Sequence, residues 1–132
     1  MTVVGLVLAG LAAALHVYIF WLESVVWTTR ARAVFGTSEQ EAAATREMAF
    51  NQGFYNLFLA VVTAVGIVLA AAGAEGSGLD AAGSALVLAG TGSMAAAALV
   101  LFASSPGKRG AALKQGVLPL LAVVALVVGF TV

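Results

Sequence analysis

The chain contains no cysteine among its 132 residues, so disulfides, thiolate metal sites, iron–sulfur clusters and thiol nucleophiles are all excluded. It is almost as poor in charge. Only 9% of residues are Asp, Glu, Lys or Arg, against roughly 25% in ordinary soluble domains, which excludes a water-soluble globule. Six basic and six acidic residues leave a formal net charge of zero, and no basic patch is extensive enough to engage nucleic acid. The apolar N-terminus lacks a basic leader segment and is too long for the 7–15-residue core of a signal peptide. It reads as a retained first helix.

What remains is hydrophobic: 62% of the residues, with a mean hydropathy of +1.08. Four apolar runs, approximately 3–27, 48–73, 81–103 and 111–132, reach the roughly 20 residues that a hydrocarbon core demands. The loops are too short for a second unit, so the expectation is a single all-α membrane domain over 1–132. Arg30, Arg32 and Arg46 fall in the first loop, and Lys108, Arg109 and Lys114 at the junction of the third and fourth spans. The second loop holds only Glu75 and Asp80. The positive-inside bias therefore places the first and third loops in the cytoplasm and both termini outside.

Within the first loop, Ser38-Glu39-Gln40-Glu41 matches a capping box, followed by three alanines that favour helix. A helix is expected from residue 39 without interruption to 73, about 50 Å long and projecting from the membrane. The other connections are a glycine-rich turn at 74–80 and a Pro-Gly turn at 104–110. Such short links favour antiparallel neighbours and an up-down four-helix bundle. Ala85, Ala89, Ser93 and Ala97 make a small-xxx-small stripe, expected to pack inside the bundle in preference to forming an oligomer seam. No inverted repeat is visible.

Ionisable groups inside a spanning helix are costly to keep and are functional candidates by default. His16 and Glu23 lie seven residues apart in the first run, two helical turns and hence one face. The second run brings Asn51, Gln52, Tyr55 and Asn56, and the fourth brings Lys114 and Gln115. With alternating helix directions, Asn51, Gln52, Lys114 and Gln115 fall level with Glu23, near the inner interface. His16 lies about 10 Å deeper, level with Asn56. Pro119 adds a free backbone acceptor at residue 115, four positions earlier. Of the aromatic residues, Phe130 alone belongs to the outer half.

Each group also has a purely architectural reading. The amides can serve as interhelical hydrogen-bonding glue, about 0.6 kcal/mol apiece, and Lys114 can snorkel to the headgroups. Glu23 can reach water or pair with Lys114, and a neutral His16 can bond to Asn56. One histidine and one carboxylate fall short of the three protein ligands usual for catalytic zinc. No metal or cofactor is expected.

At these residues the chain resembles a bacterial family of small four-helix membrane proteins known only as a domain of unknown function. The matching elements are the run from His16 to Glu23 with Trp27, then Val34-Phe35-Gly36, Asn51-Gln52-Gly53-Phe54-Tyr55-Asn56, and Gln115-Gly116 with Pro119. The resemblance implies a multi-pass protein of the bacterial cytoplasmic membrane. A fainter similarity is to the membrane-associated glutathione and eicosanoid enzymes, four-helix trimers with an Arg, Asn and Glu motif on the second helix. Arg46 and Asn51 fit the first two places, but Phe54 stands where the Glu belongs. Small multidrug-resistance transporters also combine four helices with one glutamate in the first, although theirs is nearer mid-membrane.

The leading expectation is a homo-oligomeric (dimeric or trimeric) membrane protein binding a small amphipathic or lipid-like molecule. Its pocket would be lined by His16, Glu23, Asn51, Gln52, Tyr55, Asn56 and Gln115, with Arg46 and Lys114 as anion contacts. The alternatives are a membrane enzyme of the glutathione-transferase type, with Glu23 or His16 as general base, and a proton-coupled transporter using Glu23.

Overall fold

A computed structural model describes residues 3–131, with side chains described through residue 129; the end of the fourth run at Val132 and the side chain of Phe130 lie outside the described residues. Four helices are long and apolar enough to cross a membrane: Val3–Val25, Arg46–Ala72, Gly78–Ser104 and Pro106–Gly129. The first comprises α1 (Val3–Phe20) and a π-turn (Trp21–Val25). Two short helices follow, α2 (Arg30–Phe35) and α3 (Glu39–Ala44), before the long α4 (Arg46–Ala72), α5 (Gly78–Ser104) and α6 (Arg109–Thr131). The long helices pack in a ring: α1 against α4, α4 against α5, α5 against α6, and α6 back against α1. This is the up-down four-helix bundle that short connections favour. Large apolar side chains such as Val7, Leu11, Val68, Leu99, Leu120 and Val128 face outward, as a multi-pass membrane protein requires.

The two ends of the bundle are built differently. At the end holding both termini and the 74–77 turn, Ala9, Val87, Ala122 and Leu126 form a closed core flanked by Leu6, Leu8, Ile67 and Leu88. Glycines let α4 and α5 touch there. A Cβ on Gly66 would lie 2.7 Å from the Val87 nitrogen and 2.9 Å from the Gly83 carbonyl oxygen. One turn further on, Gly90 packs against Thr63. Thr63 and Thr91 satisfy their buried hydroxyls on their own helices, through Leu59 O at 2.9 Å and Val87 O at 2.7 Å.

Three sequence expectations are corrected by these elements. The stripe Ala85, Ala89, Ser93, Ala97 does not pack inside the bundle; all four are exposed, and the buried face of α5 is Gly83, Ser84, Val87, Gly90, Thr91, Met94 and Ala98. The inner face follows the glycines that permit backbone contact, which a spacing rule for small residues does not distinguish. The helix begun at residue 39 does not run uninterrupted. Ser38 caps α3 by accepting from the Glu41 N–H at 3.1 Å, but Thr45 breaks the course with φ −103° and ψ 7°. Its hydroxyl donates to Glu41 O at 2.7 Å, the back-bonding geometry that bends helices. Finally, α5 starts at Gly78 and not near 81, because Ser77 accepts from the Asp80 N–H at 3.3 Å while Asp80 accepts from the Gly76 N–H at 3.1 Å. Ser77 thus caps α5, and Asp80 ties down the residue before the cap, since the Ser77 N–H itself donates to Ala74 O at 2.9 Å.

Candidate functional site: a polar cavity at the loop end

At the opposite end, the end of the basic loops, the helices part around a cavity of about 410 Å³. The π-turn makes one wall. Val26 N–H donates to Trp21 O at 3.2 Å, an i→i+5 bond in place of i→i+4. Gly53 of α4 comes so close that a Cβ there would stand 3.1 Å from Phe20 O and collide with Ser24 Oγ. That hydroxyl instead donates to Phe50 O at 2.9 Å. The widened turn and the glycine thus lock α1 to α4 where Glu23 leaves the helix, and π-turns are common at functional sites for this re-aiming of side chains.

Glu23 meets Asn56, whose Nδ2 donates to Glu23 Oε2 at 2.8 Å and also reaches Gln52 O at 3.2 Å. The cavity is lined further by Gln52 and Tyr55 of α4, Gln115 of α6, and Leu59, Ala97 and Leu101. Five of the expected residues, Glu23, Gln52, Tyr55, Asn56 and Gln115, therefore share one cavity. The others are elsewhere. His16 is buried at 2% exposure and lines no part of it; its Nδ1 is 2.9 Å from Ala12 O on its own helix. A carbonyl only accepts, so Nδ1 carries the hydrogen. The expected His16–Asn56 bond does not form, and Glu23 lines the cavity while His16, seven residues earlier, does not; the wider π-turn that holds Glu23 departs from the 100° per residue on which a shared face depends.

Asn51 and Arg46 are exposed and outside the cavity. Lys114 lines a separate cavity of about 140 Å³ with Tyr18, Leu22 and Phe35. Each of Asn51 and Lys114 is one residue, about 100° of helix, away from a neighbour that does line the larger cavity. Glu23 makes no ion pair with Lys114; among the described residues the ion pair is Arg32–Glu39, at 3.6 Å on the surface.

The first loop supplies the floor, which the sequence reading did not anticipate. Trp27, Phe35, Thr37, Glu41, Thr45 and Met48 line the cavity, as does Lys108. Trp27 Nε1 donates to Thr45 Oγ1 at 3.2 Å, and its ring lies 5.5 Å from that of Phe35. Gly36 ends α2 in the left-handed region (φ 67°), turning the chain back toward α3. A signal for these residues does exist. Glu41, Thr45, Met48, Gln52, Tyr55 and Leu59 follow one another at spacings of four and three, one continuous helix stripe.

Chemically, the arrangement offers two carboxylates, Glu23 held by an amide and Glu41 on the floor, with two further amides, a phenol, two threonine hydroxyls and the Lys108 ammonium, facing apolar walls and an indole. Phe54, in the place where the glutathione enzymes carry Glu, instead packs against Phe20 and Phe50 at ring separations of 5.1 and 5.0 Å. With Arg46 and Asn51 outside the cavity, the Arg, Asn and Glu pattern of those enzymes is not reproduced there. No curated protein and no solved structure matches the chain. One family model does, over residues 10–127, and it carries the description "Protein of unknown function (DUF1304)". That span includes every residue of the cavity, and the chain belongs to the DUF1304 family.

Proposed function

We propose that this multi-pass membrane protein binds a small amphipathic, lipid-like molecule in the Glu23 cavity. One observation carries the reading: Glu23, Asn56, Gln52 and Gln115, from three different helices, converge on one space of about 410 Å³. That volume falls within the roughly 300–1,000 Å³ of small-molecule sites, which combine mostly apolar walls with a few convergent polar groups. The polar end of the ligand bonds to the Glu23–Asn56 pair and the amides, and its apolar part lies along Met48, Leu59 and Leu101. The six basic residues at this end support a reading in which it faces the cytoplasm of a bacterial cell and the ligand enters from the inner leaflet.

Native mass spectrometry of protein extracted in mild detergent tests this. Wild type and Asn51→Ala carry a small-molecule adduct; Glu23→Gln and Gln115→Leu lose it. Identical spectra for all four proteins reject the reading. The same spectra report subunit number, for which a homodimer or homotrimer is expected.

A further inference from the structure

A third cavity, of about 470 Å³, runs along the outside of the bundle between α5 and α6. Its floor is made of residues too small to fill it. Gly116 and Ala98 touch so closely that a Cβ on Gly116 would lie 2.5 Å from that of Ala98, and Ala95 lies beside them in the lining. Its rims are Leu99 and Phe102 on α5 and Leu113 and Leu120 on α6, mostly exposed, Leu99 at 68% and Leu120 at 55%. In a spanning bundle such side chains face acyl chains and not water.

The groove has a charged end. Arg109 opens α6 and stands with its guanidinium 5.0 Å from the centre of the Phe102 ring, a ring that lines the groove. Its Nε–H donates to Phe102 O at 3.1 Å, which fixes the head at that point. One of the five guanidinium donors is used in this way, and among the described residues Arg109 forms no ion pair. The adjacent Lys108 lines the Glu23 cavity, so the two neighbouring cations serve different spaces. From Leu113 to Leu120 the groove descends about 10 Å into the bilayer, the direction in which an acyl chain runs from its phosphate.

We propose that the α5–α6 groove seats an acyl chain of an anionic phospholipid whose phosphate is bound by Arg109. Arginine's planar fork matches phosphate oxygens, and basic residues at the cytoplasmic surface attract anionic lipids. This site is separate from the Glu23 cavity and does not depend on what that cavity binds.

The test uses the delipidated full-length protein, titrated in native mass spectrometry with phosphatidylglycerol and with phosphatidylcholine of identical chains. Wild type binds phosphatidylglycerol about fivefold more tightly, the worth of one basic residue at a membrane surface. Arg109→Gln abolishes the preference, Arg109→Lys retains most of it, and Arg46→Gln, at an exposed position outside both the groove and the Glu23 cavity, leaves it intact. Ala95→Leu, which fills the groove, weakens both lipids; circular dichroism confirms that it folds. Equal binding of the two lipids by wild type overturns the proposal, as does a preference that survives Arg109→Gln or is lost with Arg46→Gln. So does an Ala95→Leu protein that keeps its lipid and changes subunit number, which assigns the groove to a second copy of the chain.

Discussion

Asn56 donates to Glu23 across 2.8 Å, although Ser24, the next residue along, is level with Phe50 and Gly53, which stand six and three residues before Asn56 on α4. The direction of helical side chains reconciles the two. Every Cα–Cβ bond tilts toward the N-terminus of its own helix. In antiparallel neighbours, Glu23 therefore leans deeper into the membrane and Asn56 leans shallower, and the two meet between their backbones. Counting residues along each helix sets Asn56 level with His16 and misses this approach.

The bond should be measurable as a coupling. Glu23→Leu and Asn56→Leu are each expected to lower the unfolding free energy in detergent by about 1 kcal/mol. Interhelical hydrogen bonds in membranes average about 0.6 kcal/mol and reach about 1.7. The double variant should accordingly lose less than the sum of the singles by an amount in that range. Strict additivity would mean that the contact contributes nothing.

The closed half of the bundle depends on glycine at defined places. Gly66→Ala and Gly83→Ala put a methyl group against backbone atoms of the facing helix, which cannot swing aside as a side-chain tip can. Each is expected to cost about 1–3 kcal/mol, the usual range for overpacking. Gly92, also in α5, has nothing within 4 Å of its missing Cβ, so Gly92→Ala should not destabilise. Thermal or denaturant melts of the three variants decide the matter, and equal losses at all three positions would count against the packing argument.

How far the sequence led can be judged from the same residues. Spans, connections and the clustering of polar groups near the basic loops were readable, because a bilayer restricts both length and charge. Gln52 and Gln115 line the cavity while their neighbours Asn51 and Lys114 do not, and only a full helix stripe would have separated them. The stripe from Glu41 to Leu59 was there to be read, but treating α3 as a solvated projection hid it. The π-turn was not readable. It lies where Gly53 meets the 20–24 backbone, a tertiary contact, and the residue within it, Glu23, lines the cavity while His16 does not.

Thr45 holds the floor of the cavity through two bonds, accepting from Trp27 Nε1 and donating to Glu41 O. Thr45→Val keeps the shape and removes both. A loss of about 1 kcal/mol is expected, together with a shift in the emission of Trp27, observed without interference in a Trp21→Phe background. Thr37→Val lines the same cavity without bonding the indole and should leave the emission where it was. An unchanged spectrum in Thr45→Val would show that the indole does not depend on this bond.

Because the chain has no cysteine, its orientation can be read with single introduced thiols. Gly107 has open space around it and lies in the turn between α5 and α6, while Glu75 is exposed in the turn between α4 and α5. Arg30, Arg32, Arg46, Lys108, Arg109 and Lys114 all belong to the end bearing Gly107, and the Glu75 turn has no basic residue. Moving one charge across a membrane potential involves about 2.3 kcal/mol per 100 mV, and basic residues near the span ends are retained in the cytoplasm. In spheroplasts of a bacterial host, a membrane-impermeant maleimide should label Glu75→Cys at once and Gly107→Cys only after the membrane is opened. The reverse pattern would invert the topology and place the Glu23 cavity on the outer leaflet. Labelling of both variants in intact spheroplasts would show dual insertion, which a six-to-none charge asymmetry should prevent.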